Sequence, residues 1–205
     1  MLKAAAGLFK RQGYAATTLR QIADDAGIQA GSVYYHFESK DRILAEILDV
    51  GIDLVHMAVL ERLNALPADA TGRERFAAAV EGHLTGLLQH EEYTSAAIRV
   101  YGQLPAGLRR PNQNRRRKYS ALWDQLLIEA DERGEIRPRA DLHLTRLIVL
   151  GAINWTVEWF DPDQGALSAT VDQMVSILSD GVFKPAEQTK GRTTRKPKAA
   201  KSAAV

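Results

Sequence analysis

The chain has 205 residues, of which 45% are hydrophobic, so it can bury a core as one large domain or two small ones. Its 27 basic and 25 acidic side chains leave a formal charge of +2, which does not by itself indicate a nucleic-acid binder. The absence of cysteine excludes a disulfide scaffold, a thiolate metal site and a cysteine nucleophile. The apolar run at 147–153 is far shorter than the roughly 18 residues that span a bilayer, and no secretory signal is apparent. We therefore expect a cytoplasmic protein without a membrane span.

Almost every segment before residue 184 follows the helical period, which predicts an all-α fold. Gly13 is expected to end the first helix as a left-handed C-cap. A second helix is expected between Thr18 and Gly27, because Thr18 and Gln21 have the spacing of a capping box. The apolar stripe of the first helix consists of Ala5, Leu8 and Phe9.

A third short helix is predicted at 29–36, and Ser39 is the predicted N-cap of a long fourth helix. Proline interrupts the pattern after residue 103, so a loop with a short turn is expected there. No strand pair is predicted. The remaining helices are expected at about 76–88, 93–103, 119–134, 141–160 and 167–183.

Residues 184–205 differ in composition from the rest of the chain. They hold seven basic side chains and one acidic side chain, and Val205 is their only aliphatic residue larger than alanine apart from proline. Such a segment cannot bury enough apolar surface to offset the entropy of ordering it. We expect a disordered basic tail, which either adds non-specific attraction to nucleic acid or acts only as a solubilising extension.

The pattern at 17–40 is the most informative in the chain, because it predicts a helix, a glycine-containing turn and a second short helix. Val33 and Phe37 lie four residues apart and are expected to face inward. The remaining surface of this second helix is small, polar and aromatic, which suits insertion into a major groove. The side chains on that surface are those of Gln29, Gly31, Ser32, Tyr34, Tyr35 and His36.

Four motifs in this part of the chain carry a resemblance to a known family. They are AAAGLF, GYAATTLRQIA, AGIQAGSVYYHF and SKDRIL, and in this order and spacing they resemble the TetR family of bacterial transcriptional regulators. The detailed resemblance covers residues 2–48. It implies an N-terminal helix-turn-helix DNA-binding domain at 1–48, a C-terminal helical ligand-binding and dimerisation domain at 49–183, and the tail at 184–205.

The resemblance implies roles in operator binding for ten residues. Thr18, at a helix N-terminus, is expected to bind a phosphate, and Arg20 to reach the DNA backbone or a base. Gly31 allows close approach of the helix to DNA. The expected base readers are Gln29, Ala30 and Ser32, since glutamine can pair with adenine and alanine can meet a thymine methyl. The expected backbone contacts are those of Tyr34, His36 and Lys40.

Three alternatives accompany these assignments. Tyr34 can also reach a base, Tyr35 either touches DNA or packs within the domain, and His36 either binds a phosphate or only caps the end of its helix. The charge of the DNA-binding domain is close to neutral, so the electrostatic attraction that it exerts on DNA is expected to be modest.

A protein that reads two half-sites needs a dimer, and the last two helices are the expected interface. Both carry extended apolar stripes, although an ordinary intramolecular core would explain part of each stripe. The stripe on the first of the two helices holds Leu147, Ile148, Gly151 and Trp155, and that on the second holds Val171, Met174, Val175 and Leu178.

The middle helices are then expected to enclose a pocket for a small-molecule effector. The expected aromatic contacts are Tyr93, Tyr101, Trp123, Trp155 and Trp159. The expected polar contacts are His83, Arg99, Asn154 and Glu158.

A run of basic side chains at 109–118 precedes the aromatic helix, and such a run is usually a solvated face. The stretch LPAGLRRPNQNRRRKYSALW, together with AINWTVEWF, nevertheless looks like the regulators of lipid and steroid catabolism in this family that sense acyl-CoA thioesters. That likeness implies that Arg109 and Arg115 hold the CoA phosphates at the pocket mouth while the apolar interior takes the acyl chain.

Three other functions remain as alternatives. An enzyme is disfavoured because the chain has no H-E-x-x-H motif, no phosphate-binding glycine loop and no serine elbow, so no catalytic residue, metal site or cofactor is predicted. A TetR-like sensor of drugs or other small molecules would have a different effector. A DNA-binding protein without ligand control would bind its operator permanently, so release by an effector distinguishes it from the favoured function.

Overall fold

The structure is a computed structural model that describes residues 1–102, 104 and 106–185. The described residues form eleven helices, which confirms the predicted all-α fold. None of these helices is long and apolar enough to cross a membrane. In chain order the helices are α1 (Leu2–Ala16), α2 (Leu19–Asp25), α3 (Ala30–His36), α4 (Lys40–Asn64), α5 (Gly72–Gln89), α6 (Glu91–Tyr101), α7 (Ala106–Arg109), α8 (Gln113–Glu132), α9 (Leu142–Asn154), α10 (Thr156–Trp159) and α11 (Leu167–Val182).

The starts of α2 and α4 follow the predicted capping patterns. The Thr18 hydroxyl accepts a hydrogen bond from the Gln21 N–H at 3.2 Å, and the Gln21 side chain accepts one from the Thr18 N–H at 2.9 Å. The Ser39 hydroxyl accepts from the Arg42 N–H at 3.2 Å, which begins α4. Gly27 has φ +66°, and this left-handed residue forms the turn between α2 and α3.

Gly13 interrupts α1 but does not end it as a C-cap. Its φ of +80° and ψ of 164° lie outside the left-handed helical region, in a region that glycine adopts most readily. The chain kinks at Gly13 and then continues in helical conformation to Ala16. The predicted break is therefore present, and the predicted C-cap geometry is wrong.

Two clusters of buried hydrophobic side chains organise the fold. The N-terminal cluster is formed mainly by α1 to α4 and includes Phe9, Ile22, Val33 and Ile47. The C-terminal cluster is formed by the second half of α4 and the later helices. Its largest members include Phe76, Leu84, Trp123 and Phe183.

Helix α4 belongs to both clusters, since Leu48 lies in the N-terminal cluster and Val55 in the C-terminal cluster. The predicted division at residues 48 and 49 falls between them and stays a prediction. Helix α6 also joins the two parts. Its Ala96 and Val100 side chains pack in the N-terminal cluster, while Ile98 packs against the C-terminal cluster. Movement of α6 would therefore shift side chains that pack against the helix-turn-helix.

The end of the described chain is tied to the loop after α8. The Lys184 N–H donates to the Glu135 carbonyl at 2.9 Å, and its ammonium donates to the Gly134 carbonyl at 2.6 Å. An isolated antiparallel bridge joins Ile136 to Phe183 beside these bonds. Lys184, which the composition assigns to the tail, is thus part of the folded structure. Residues 186–205 of the predicted basic tail lie outside the described residues.

Candidate nucleic-acid interface and ligand cavity

Helix α3 exposes the surface that the helix-turn-helix pattern predicts. Val33 is its one buried side chain, and the partly buried Phe37 packs beside it on the N-terminal cluster. Tyr34 and Tyr35 are 62% and 86% exposed, which favours a surface role for Tyr35 over packing within the domain. The other exposed members of this surface are Gln29, Ala30, Gly31, Ser32 and His36.

Thr18 and Arg20 are exposed at the start of α2, close in sequence to the turn that leads to α3. The Thr18 hydroxyl caps α2 through its hydrogen bonds to Gln21. The first-turn N–H groups of α2 and the Arg20 guanidinium are positive groups of the kind that bind phosphate. These exposed positions are compatible with the roles that the resemblance implies, and the roles stay predictions.

Lys40 has protein partners that the sequence did not predict. Its ammonium donates to the carbonyls of Tyr14 at 2.8 Å and Thr17 at 2.6 Å, and it lies 4.3 Å from the centre of the Tyr14 ring. Partial burial lowers the pKa of Lys40. The residue joins the start of α4 to the end of α1, so the implied phosphate contact competes with two strong internal hydrogen bonds.

A small cavity of about 80 Å³ lies between α4, α5, α6, α8 and α9. Its wall is mostly apolar, but polar side chains enter it from four of these helices, and no acidic residue is among the described residues that line it. The polar side chains are His83, Thr94, Arg116, Tyr119, Ser120 and Asn154, and the apolar wall is formed by Ile52, Val55, Leu87, Ala97, Ile98 and Leu150.

His83 and Tyr119 form a buried hydrogen bond in this wall. The distance from His83 Nδ1 to the Tyr119 hydroxyl is 2.6 Å, and both side chains are almost fully buried. Burial lowers the pKa of His83 to about 3, against a smaller opposing effect of the nearby Asn154 side chain, and it raises the pKa of Tyr119. Both groups are therefore neutral near pH 7. The other ring nitrogen, His83 Nε2, is buried without a hydrogen-bond partner.

Arg116 lies where the cavity meets an open groove of about 440 Å³ on the surface of α8. Its guanidinium stacks on the Tyr101 ring, 4.0 Å from the ring centre, and partial burial lowers its pKa. Among the described residues no carboxylate forms an ion pair with it. The groove also contains Arg117, while Arg146 in the same groove binds Asp124 at 2.6 Å. The junction of cavity and groove therefore carries uncompensated positive charge.

The family of the chain follows from comparison with known proteins. Residues 1–47 match the family described as bacterial regulatory proteins, tetR family, and residues 69–182 match the Tetracyclin repressor-like, C-terminal domain family. The chain belongs to the TetR family. It is a DNA-binding transcriptional regulator with an N-terminal helix-turn-helix, as the resemblance implied.

Relatives of this TetR-family protein are similar over most of their length. The HTH-type transcriptional repressor KstR2 of Mycolicibacterium smegmatis is 30% identical over 187 residues, which cover 89% of this chain and 88% of the relative. The fatty acid metabolism regulator protein of Bacillus subtilis is 25% identical, with 89% and 93% covered. The crystal structure of AibR in complex with isovaleryl coenzyme A and operator DNA has a TM-score of 0.76 and 26% identity, with 90% and 96% covered. These relatives are named regulators, which confirms the expectation that the chain is not an enzyme.

The aromatic residues expected to contact the effector lie mostly outside the cavity. Trp123 is fully buried in the C-terminal cluster, where its ring meets Phe76 edge-on at 6.1 Å. Trp155, at the end of α9, and Trp159, in α10, are 64% and 50% exposed. Tyr93 packs on the N-terminal cluster. None of these four side chains lines the cavity, and Tyr101 lines the neighbouring groove; their roles in effector binding stay predictions.

Among the expected polar contacts, Asn154 and His83 do line the cavity. Arg99 lies in a separate open groove beside α1, where it donates to Glu158 at 2.8 Å. Glu158 lies in that groove too, so neither member of this ion pair reaches the cavity.

The two arginines expected at the pocket mouth are also placed elsewhere. Arg115 turns toward α4 and binds Asp53 and, at 3.2 Å, Asp49. Arg109 lies in α7 and lines neither the cavity nor the α8 groove. Arg116, one position further along α8, points about 100° away from Arg115 and takes the place at the mouth.

Three cavity residues missed from the sequence share one face of α8. Arg116, Tyr119 and Ser120 have the i, i+3, i+4 spacing that aligns side chains on a helix. This spacing was visible in the sequence and could have selected Arg116 from the basic run. Thr94 had no comparable spacing pattern in the sequence. In the structure its hydroxyl donates to the Leu87 carbonyl at 2.5 Å.

Helix α9 exposes a continuous apolar stripe, whereas most of the expected stripe on α11 is intramolecular. Ile148 is 60% exposed, but Val171 is buried in the C-terminal cluster. Met174, Val175 and Leu178 are partly buried against that cluster, so only part of each side chain is open to a partner and the interface on α11 stays a prediction. The large side chains that remain exposed on the two helices and the following turn are Leu144, Leu147, Ile148, Trp155 and Ile177.

Proposed function

We propose that this TetR-family protein is a homodimeric repressor that binds a palindromic operator and is released by a CoA thioester. The observation that carries the effector class is Arg116, an arginine without an ion-pair partner among the described residues, at the junction of a mostly apolar cavity and an open cationic groove. A CoA thioester fits this arrangement, because its acyl group suits the apolar cavity and its phosphates suit the cationic groove. The AibR complex with isovaleryl coenzyme A supports the same class.

The size of the cavity favours a coupling between ligand binding and DNA release. About 80 Å³ corresponds to the liquid volume of two or three water molecules, so an acyl group of several carbons must push the wall outward. Ala97 of α6 lines this wall and also packs in the N-terminal cluster. A ligand that displaces α6 therefore binds best to a conformation in which the helix-turn-helix has moved.

The DNA-bound form of the proposed dimer uses the exposed surface of α3. Gln29, Ala30 and Ser32 read bases, and Tyr34 and His36 hold the backbone. A second copy of the chain covers the exposed stripe of α9, because an apolar surface of this kind is otherwise costly to leave in water. Two α3 helices about one DNA turn apart would then face a two-fold symmetric site.

The alternative of a cationic-drug sensor has less support. No acidic side chain is among the described residues of the cavity wall, and the mouth carries Arg116. A cation would meet repulsion there rather than a counter-charge.

Footprinting on DNA that flanks the protein's own gene would supply an operator, and fluorescence anisotropy would follow its release. We expect isovaleryl-CoA or a longer acyl-CoA to release the operator, with no release by free CoA or the free acids. Arg116→Gln should raise the thioester concentration needed for release about tenfold or more, because hydrogen bonds to charged groups are lost. Arg110→Gln, which alters an exposed arginine outside the cavity and groove, is the matched control.

Operator affinity should be the same for both variants. Release by a cationic drug and by no thioester would overturn the proposed effector class. Failure of every small molecule to release the operator would favour a DNA-binding protein without ligand control.

A further inference from the structure

Two polar groups of the cavity wall, the His83 imidazole and the Asn154 side chain, lie near each other, and Asn154 acts to raise the pKa of His83. His83 Nε2 is buried and has no hydrogen-bond partner, although His83 lies in the cavity wall. Buried polar atoms are rarely left unpaired, because the loss of their hydrogen bonds to water is not repaid. In a wall that also carries Asn154, such an atom indicates that a polar group belongs inside the cavity.

The hydrogen bond at Nδ1 fixes the His83 ring, and Asn154 is the other polar side chain that acts on the imidazole. The Tyr119 hydroxyl holds Nδ1 at 2.6 Å, and the Trp123 ring is steeply inclined to the imidazole, at 72°, with 6.2 Å between ring centres. Since Tyr119 occupies one nitrogen, a bound molecule can use only the other. This arrangement presents a single neutral hydrogen-bonding site to the ligand.

We infer that the acyl group of the effector carries a hydroxyl or keto oxygen that hydrogen-bonds to His83 Nε2. This inference rests on the proposed CoA-thioester function and narrows it to oxygenated acyl groups. A hydroxyl oxygen can accept from or donate to Nε2, and a keto oxygen accepts when Nε2 carries the proton. A purely hydrocarbon acyl group would leave the nitrogen unsatisfied.

The geometry of α8 limits where on the acyl group this oxygen lies. Arg116 marks the mouth, and Tyr119, three residues further along the helix, holds His83. Three residues correspond to a rise of about 4.5 Å. With the thioester carbonyl beside Arg116 and the CoA phosphates a pantetheine arm further out along the α8 groove, the oxygen lies within a few carbons of the thioester. A second carboxylate is disfavoured at this position, because burial lowers the pKa of His83 to about 3 and the neutral ring offers no compensating charge.

The test compares thioesters that differ only in this oxygen. Binding of butyryl-CoA, 3-hydroxybutyryl-CoA and 3-oxobutyryl-CoA to the full chain is measured by calorimetric titration, and the same three forms are measured with six-carbon and eight-carbon chains. We expect an oxygenated member to bind about tenfold more tightly than its hydrocarbon partner in at least one chain length, since one buried hydrogen bond is gained.

Two substitutions connect this preference to His83. In His83→Asn the side-chain amide takes the place of Nδ1 and can still bond to Tyr119, but no group remains at the position of Nε2. This variant should therefore abolish the preference for oxygenated thioesters. His83→Gln places its amide nearer Nε2 and should retain part of it. Thermal unfolding of both variants establishes that they are folded, and His83→Gln provides a second variant if His83→Asn is unstable.

The outcomes separate this inference from the proposed function. Hydrocarbon members that bind as tightly as their oxygenated partners at every chain length would overturn the inference alone, as would a preference that survives in His83→Asn. If no thioester of either kind binds, the proposed function is overturned and the inference with it. Abolition of a tenfold preference in His83→Asn, with partial retention in His83→Gln, would support it.

Discussion

Gly82 of α5 lies directly against Val59 of α4, so that a β-carbon on Gly82 would stand 2.8 Å from Val59 Cα. The Ala58 carbonyl oxygen lies equally close to that position. Both neighbours are backbone atoms of a long helix and cannot rotate away. The missing side chain therefore sets the distance between the helix that carries the helix-turn-helix and the helix that contributes His83 to the cavity.

Gly82→Ala is expected to lower the free energy of unfolding by about 1–3 kcal/mol, because α4 and α5 must separate to admit the methyl group. The measurement is urea unfolding followed by circular dichroism. Gly102→Ala is the control, since Gly102 has ordinary right-handed helical angles and no described neighbour within 4 Å of the place that a methyl group would occupy. A Gly82→Ala protein as stable as wild type would show that the two helices separate at little cost.

The buried His83 predicts a specific dependence of stability on pH. Its pKa is about 3 in the folded chain and 6.5 in the reference state, so the unfolded chain binds more protons between these values. Stability contributed by neutral His83 is thus complete above about pH 6.5 and is lost as the pH falls. Between pH 7.5 and 5 the wild type should lose about 2 kcal/mol more than His83→Asn. Equal losses in urea unfolding at the two pH values would contradict this.

Lys40→Met is expected to destabilise the protein by about 1–2 kcal/mol, because the carbonyls of Tyr14 and Thr17 lose a charged donor. Arg42→Met, at a nearby exposed position on the same helix, should change stability much less. Urea unfolding and operator affinity are measured together. If Lys40→Met unfolds like the wild type but binds all DNA sequences more weakly, the phosphate contact implied by the family resemblance is the main role of Lys40.

Substitutions on α3 should divide into two kinds. Ser32→Ala and Gln29→Ala are expected to reduce discrimination at particular base pairs by about 1–3 kcal/mol, because their side chains are the proposed base readers. His36→Ala should weaken binding to all sequences by a similar factor, since phosphate contacts carry no sequence information. The measurement is affinity for a panel of operator variants at one salt concentration. Indistinguishable profiles would remove the proposed division of roles.

Ile148→Arg is expected to yield a folded monomer in analytical ultracentrifugation. The side chain is 60% exposed within one chain, so the charge disturbs no internal core and acts on the interface of the proposed dimer. Met57→Arg is the matched control, because Met57 is 68% exposed on α4, outside the α9 stripe. A dimer that tolerates Ile148→Arg would place the interface on another surface.

Short-range patterns predicted the helices and the exposed face of α3 well. The caps at Thr18 and Ser39 depend on side chains within three residues, and the single apolar position Val33 determines which side of α3 faces outward. Each of these features is decided by neighbours in sequence. Lys40 is the exception on this domain, because its partners lie at the end of α1, more than 20 residues away.

The cavity was harder to predict because it depends on how distant helices pack. Residue type alone predicted Trp123 and Trp155 in the wall, but Trp123 is buried against Phe76 and Trp155 is exposed at the end of α9. The basic run likewise could not distinguish Arg115 from Arg116. The positions of Asp49 and Asp53 on α4 decide which arginine is neutralised.

Helix α6 constrains how this regulator can change its effector during evolution. Thr94 and Ala97 line the cavity, whereas Ala96 and Val100 pack in the N-terminal cluster, so α6 offers few positions where a substitution is neutral for DNA binding. Ser120 of α8 and Leu150 of α9 line the same cavity without belonging to that cluster. In a selection for response to a new thioester, we expect successful variants to accumulate at Ser120 and Leu150, with α6 nearly unchanged.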